Sequence, residues 1–155
     1  MKEYRGFRDA GGQVHVLVID ERRGQHPLPH FVRHSPSGFE WGYSGSGPAD
    51  LARSILAEHL GGHIAPVPRI YQLFKFTVIA RLPREAWTLT HDEVALWLEG
   101  ALRELELTCP RCGDQGVLWP EQQQRPADHA GHASTPCDCE AGELVRHIGQ
   151  EHTNE

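Results

Sequence analysis

Four cysteines, all beyond residue 108 of a 155-residue chain, constrain this sequence most. Cys109 and Cys112 are separated by two residues and followed by Gly113; Cys137 and Cys139 are separated by one. Twenty-four residues lie between the two pairs. Thiolates at such spacings converge on a tetrahedral ion, and the glycine after Cys112 lets backbone amides turn toward sulfur. The pattern is that of a zinc ribbon. Its first pair is the sharper signal, because one intervening residue in the second is atypical. His129 and His132 offer substitute ligands from the same stretch. Two disulfides or four plain thiols are the competing arrangements; disulfides belong to oxidising compartments, and no secretion signal is visible. A redox Cys-x-x-Cys is expected between a strand and a helix of a thioredoxin-like unit, which the sequence does not show. A catalytic zinc needs an open coordination position and a general base, so the expected cofactor is a structural Zn2+ that staples a segment too small to fold on an apolar core.

The cysteines also mark a change of character. Residues 1–108 carry 12 Lys+Arg against 13 Asp+Glu, whereas residues 109–155 carry 3 against 8. The expected organisation is an α+β ligand-binding domain over 1–108 and a cysteine-rich, zinc-binding tail over 109–155. An acidic tail and a net charge of -6 for the chain argue against nucleic acid as a partner. No apolar run reaches membrane-spanning length, so no membrane partner is expected, and the polar start places the chain in the cytoplasm.

Hydrophobic periodicity gives the elements of the front part. Residues 4–8 and 14–20 read as a hairpin turned by Gly11-Gly12. The second strand is apolar on both sides and is expected to be covered on both faces. Residues 26–29, with Pro27 and Pro29, are extended. Residues 31–34 and 39–43 read as short strands, the latter with aromatics at period two. Leu51, Ala52, Ile55, Leu56, His59 and Leu60 recur at helical steps after Pro48, with Ser46 or Gly47 as N-cap and Gly61-Gly62 as the stop. Residues 71–81 alternate Phe74, Phe76, Val78 and Ala80 and form the longest strand candidate. A second helix begins at Thr90, where Thr90 and Glu93 match a capping box; its stripe is Val94, Trp97, Leu98, Ala101, Leu102 and Leu105, and it is expected to stop at Thr108. Residues 143–150 read as a short helix. The expected fold is α+β: a mainly antiparallel sheet with two helices, plus a C-terminal zinc ribbon-like appendage.

The most distinctive run is Gly38-Phe39-Glu40-Trp41-Gly42-Tyr43-Ser44-Gly45-Ser46-Gly47-Pro48. A helix start presents amides without intrahelical acceptors at the positive end of a dipole, which suits an anion such as phosphate. Phe39, Trp41 and Tyr43 offer faces for a flat ring. Gly45, Ser46 and Gly47 would supply the amides, and Arg33, His34, Lys75 and Arg81, on neighbouring strand candidates, the compensating charge. Known nucleotide motifs do not match: Asp50 stands where the third glycine of G-x-G-x-x-G belongs, no Walker lysine follows Gly47, and Ser46 breaks a G-x-S-x-G elbow. The aromatics can equally be core, and the glycines can simply cap a helix. No acid/base pair stands out: His91-Asp92-Glu93 reads as an acidic helix start, His59 as a core-edge histidine, Trp87 and Trp97 as core. The chain is therefore not expected to be an enzyme.

The runs HSPSGFEWGYSGSGPADLARSIL, YQLFKFTVIARLP and WTLTHDEVALWL resemble a small uncharacterised domain family of bacteria and their phages, over residues 3–105. The same segments are similar to the first-described family of phage anti-Thoeris sponge proteins. Members of that family are homo-oligomers that sequester cyclic ADP-ribose derivatives made by TIR-domain immune enzymes, without chemistry. The resemblance implies a nucleotide-binding sponge, with the matching positions confined to 39–48 and 74–81; the cysteine-rich tail departs from the family pattern. The rival reading is a zinc-stapled adaptor with no small-molecule ligand.

Overall fold

A computed structural model of the chain describes residues 1–62, 65–118 and 135–143. Four strands form one antiparallel sheet in the order β3-β2-β1-β4: β1 Lys2–Arg8, β2 Val14–Asp20, β3 Gly24–Pro27 and β4 Ala86–Thr90. The fold is α+β, as the periodicity implied. The first hairpin has the expected register, with Tyr4 opposite Val18 and Arg8 opposite Val14. Tyr4, Val16, Val18 and Trp87 are buried on the sheet. His15, Leu17 and Ile19 are only half-buried, so β2 is fully covered on one face rather than both.

Three α-helices, not two, lie over the sheet: α1 Ser46–His59, α2 Pro68–Thr77 and α3 His91–Glu104. α1 is the central element. Leu51, Ala52, Ile55 and Leu56 join the core with Tyr4 and Val18. Its polar residues Asp50, Arg53, Ser54 and Glu58 are buried as well, so α1 is covered all round. Its N-cap is Gly45, one residue before the expected position. At α3 the capping box closes as the sequence indicates, Thr90 accepting from the Glu93 amide and the Glu93 carboxylate accepting from the Thr90 amide. α3 ends at Glu104, before the expected Thr108. Glu106 takes a positive φ of 53° and the Leu107 amide turns back onto the Leu102 carbonyl, closing the helix.

The largest correction concerns residues 71–81. They form no strand: α2 runs to Thr77, and a 3-10 turn, Ile79–Arg81, follows. A strand would place Phe74 and Phe76 on one face, yet Phe74 is 1% exposed and Phe76 54%. The helical steps Ile70, Tyr71 and Phe74 are the buried ones, and Pro68 fits the first turn, where no amide donor is needed. β4, which the sequence pattern did not reveal, takes the sheet edge beside β1.

Residues 31–34 and 39–43 are not strands either. β3 and β4 already occupy both sheet edges, and the loop amides find other acceptors. Residues 143–150 of the expected last helix lie outside the described residues except Glu143, which is helical together with residues 140–142. His129 and His132 also lie outside them.

The cysteine segment has a two-stranded sheet and a buried cluster of its own. β5 Val117–Leu118 pairs with β6 Thr135–Pro136. Cys109, Cys112, Leu118 and Cys137 form its buried centre. It docks on the front part through the Val67 amide donating to the Pro110 carbonyl at 3.1 Å and Arg111 donating to the Leu60 carbonyl at 2.7 Å.

Candidate functional site

The four sulfurs are gathered by two tight turns. Gly113 follows Cys112 with φ 58°, and its amide donates to the Cys109 carbonyl at 2.9 Å. The Asp114 carboxylate accepts from the Thr108 and Cys109 amides and locks the first turn. The Cys137 amide donates to the Gly116 carbonyl at 2.8 Å, which brings the second pair alongside. All four Sγ atoms lie within 4.8 Å of one another, with Cys109–Cys137 at 3.8 Å and Cys112–Cys139 at 3.5 Å. A tetrahedron of sulfurs around zinc, at about 2.3 Å per bond, has edges of about 3.8 Å, whereas a disulfide bond is about 2.05 Å long. The cysteines are free thiols in a geometry that can hold a metal ion. Burial pushes the Cys112 thiol up to about 11 and the Cys137 thiol higher still. A divalent cation reverses that cost by favouring the thiolate. Arg111 pairs with Asp138 at 2.7 Å and so ties the two cysteine turns together.

The second candidate region is the turn into α1. A cavity of about 480 Å³ opens there, with Phe39, Tyr43, Ser46 and Gly47 in its wall. Two glycines are fixed by close approach. A Cβ on Gly45 would lie 2.5 Å from the Tyr43 ring, and one on Gly47 would lie 2.8 Å from the Cβ of Glu40. Tyr43 is 50% exposed and Phe39 half-buried, the latter with its ring centroid 4.5 Å from that of His30. Glu40, also in the wall, is paired with Arg8 at 2.9 Å.

The other sequence-selected residues are elsewhere. Trp41 is 1% exposed, its indole N–H donating to the carbonyls of Pro83 and Arg84 and its ring edge-on to Trp87. Arg33 lines a different cavity, and His34 sits 3.0 Å from the Tyr71 hydroxyl, its imidazole held below the usual range by burial. Lys75 is buried on α2, over the Phe76 ring at 4.0 Å, and Arg81 is exposed at the end of the 3-10 turn. None of Arg33, His34, Lys75 and Arg81 stands on a strand, and none lines the turn cavity.

Asp50 is the residue the sequence reading missed. It is wholly buried, and its carboxylate accepts from the consecutive amides of Arg33, His34 and Ser35 at 2.9–3.2 Å, with His30 Nε2 at 3.1 Å. Ser54 accepts from the Phe31 amide, and Arg53 donates to the carbonyls of Phe31 and Val32. The buried polar face of α1 thus replaces a partner strand for residues 31–35. One signal was present: an acid, an arginine and a serine at positions 50, 53 and 54, interleaved with the apolar stripe of the helix.

Residues 4–100 match a family of unknown function (DUF6166). The chain belongs to that family. The DUF6166 region includes β2, β3, β4, α1, α2 and the turn cavity, and the four cysteines lie beyond it. This is an uncharacterised domain family, as the resemblance implied. No curated protein and no solved structure matches the chain. Among the described residues no helix is long and apolar enough to cross a membrane.

Proposed function

We propose that the DUF6166 region binds a nucleotide-type signalling molecule without chemistry, lowering its free concentration, and that the cysteine tail carries a structural Zn2+. The anti-defence sponge of cyclic ADP-ribose type, cytoplasmic and homo-oligomeric, is the form of this reading that the sequence resemblance favours. The observation that carries it is the cavity of about 480 Å³ at the turn into α1. That volume falls within the ~300–1,000 Å³ usual for small-molecule sites. Phe39 and Tyr43 would stack on a base or other flat ring, while Ser46 and Gly47 at the helix start would face its phosphate. Trp41 has no part in contact with the ligand; it supports the wall from within. Among the described residues no Lys or Arg lines this wall, whose one charged residue, Glu40, is paired with Arg8 at 2.9 Å, so the backbone amides at the start of α1 would carry the contact with phosphate.

Four thiolates around one divalent ion leave no open coordination position, so the zinc holds the tail together and takes no substrate. Incubating the purified full chain with cyclic ADP-ribose isomers, removing free ligand and then heating tests the binding. Recovery of the intact compound from the wild type, and its loss in Tyr43→Ala, is the expected result. A cleaved product or no retention overturns the reading.

A protein-docking role is the second reading, favoured by a shallow cleft of about 310 Å³ between α2 and α3 that includes Leu73, Leu96 and Trp97. Leu96 is 72% exposed there, a large apolar residue on a surface helix.

A further inference from the structure

A second cavity, of about 380 Å³, lies where the front domain meets the first cysteine turn. Three arginines reach it from three separate elements: Arg33 from the loop over α1, Arg53 from α1 and Arg69 from α2. Its remaining wall is largely apolar, with Pro66, Val67 and Leu107.

Two details make this more than a chance gathering of charge. Arg53 is almost wholly buried and its guanidinium is fixed by the carbonyls of Phe31 and Val32, so one cation is set in place before any ligand arrives. Arg69 stands in the first turn of α2, where the helix dipole already presents its positive end. That turn holds no acidic residue, and no side chain caps it. The Arg69 charge adds to that positive end, and an anion facing both would be favoured. Guanidinium groups are suited to this task because their planar fork matches a carboxylate or phosphate in two bonds.

We propose that the cavity joining Arg33, Arg53 and Arg69 is a binding site for a small phosphate- or carboxylate-bearing molecule with a compact apolar body. The anion sits against the arginines and the start of α2; the apolar part lies along Val67 and Leu107. The site is separate from the turn cavity, since the two share no lining residue.

Phenyl phosphate is the probe, titrated calorimetrically into the full chain as purified. Saturable one-to-one binding is expected, weakened at least about tenfold by Arg69→Glu, which reverses an exposed charge and leaves the melting temperature unchanged. Arg33→Ala should weaken it by a similar factor. Benzyl alcohol, a neutral molecule of similar shape, should not bind. Tyr43→Ala should bind phenyl phosphate as the wild type does. Absence of saturable binding overturns the proposal. So does equal affinity in wild type and Arg69→Glu, or a loss confined to Tyr43→Ala, which would place the anion in the turn cavity.

Discussion

The front domain and the cysteine tail are two solutions to the same difficulty of holding a short chain in one shape. The front part buries Tyr4, Trp41, Leu51, Ile55, Tyr71 and Phe74 in one continuous core. The tail has one non-cysteine residue, Leu118, in its buried centre, and its two strands are two residues long each. Apolar area stabilises the first at about 25 cal/mol per Å². The second has too little of it and depends on what four sulfurs can hold. The difference teaches where each region is vulnerable: the front to cavities and orphaned polar groups, the tail to loss of a ligand atom.

The sharpest way to break the comparison is to add a chelator or remove one sulfur. Chelation, or Cys112→Ala, should abolish hydrogen-exchange protection over 109–118 and 135–143 while the sheet keeps its protection. Native mass spectrometry should show the loss of the proposed metal ion from the chain. Equal loosening of both regions would show that they fold as one unit. Next in size is Trp41→Ala, which empties a buried indole site and strands the acceptors Pro83 and Arg84; a loss of about 3–5 kcal/mol is expected in urea unfolding. A ligand-contact role for Trp41 would instead leave the unfolding midpoint in place. Asp50→Asn keeps the shape of the side chain but removes the charge that three loop amides converge on; about 2–3 kcal/mol is expected, with zinc content unchanged.

A smaller effect should come from pH. Burial, the stacked His91 and Lys2 hold the His59 imidazole down at about 4, against an ordinary value of 6.5. The unfolded chain therefore takes up this proton first as pH falls. The stability associated with neutral His59 is complete above pH 6.5 and is lost progressively toward pH 4. With solvent screening of this half-buried group the loss is about 1–2 kcal/mol. Tryptophan fluorescence in urea at pH 7 and pH 5 reads it in the front domain, and His59→Gln should flatten the dependence. Smallest of all, Tyr43→Ala should alter stability by less than about 0.5 kcal/mol, because its ring is half exposed.

What could be read in the sequence was what is locally encoded. The Val14–Asp20 strand, the Thr90/Glu93 capping box and the glycine turn after Cys112 each follow from neighbours within a few residues. α2 was not legible. Phe74, Phe76 and Val78 alternate like a strand, and only packing shows that Ile70, Tyr71 and Phe74 are the buried set. β4 was missed because Ala86–Thr90 is short and partly exposed, a strand created by the free edge of β1. At the candidate site, Phe39, Tyr43, Ser46 and Gly47, close together in the sequence, line one cavity. The spacing could not separate them from Trp41, since alternation within 39–43 treats all three rings alike. Asp50 was invisible for a different reason: its partners lie 15–20 positions earlier, in a loop whose path it sets.

Arg111 has a consequence for how the molecule behaves as a whole. One end of its guanidinium grips Asp138, between the last two sulfurs, and the other holds the carbonyl of Leu60, where α1 finishes. A slackening of the sulfur centre therefore reaches the far terminus of the helix whose opening turns carry the turn cavity and Asp50. The tail is thereby tied to the closing end of α1, so a change in the cysteine turns would be felt there first, at the end of the helix opposite the turn cavity.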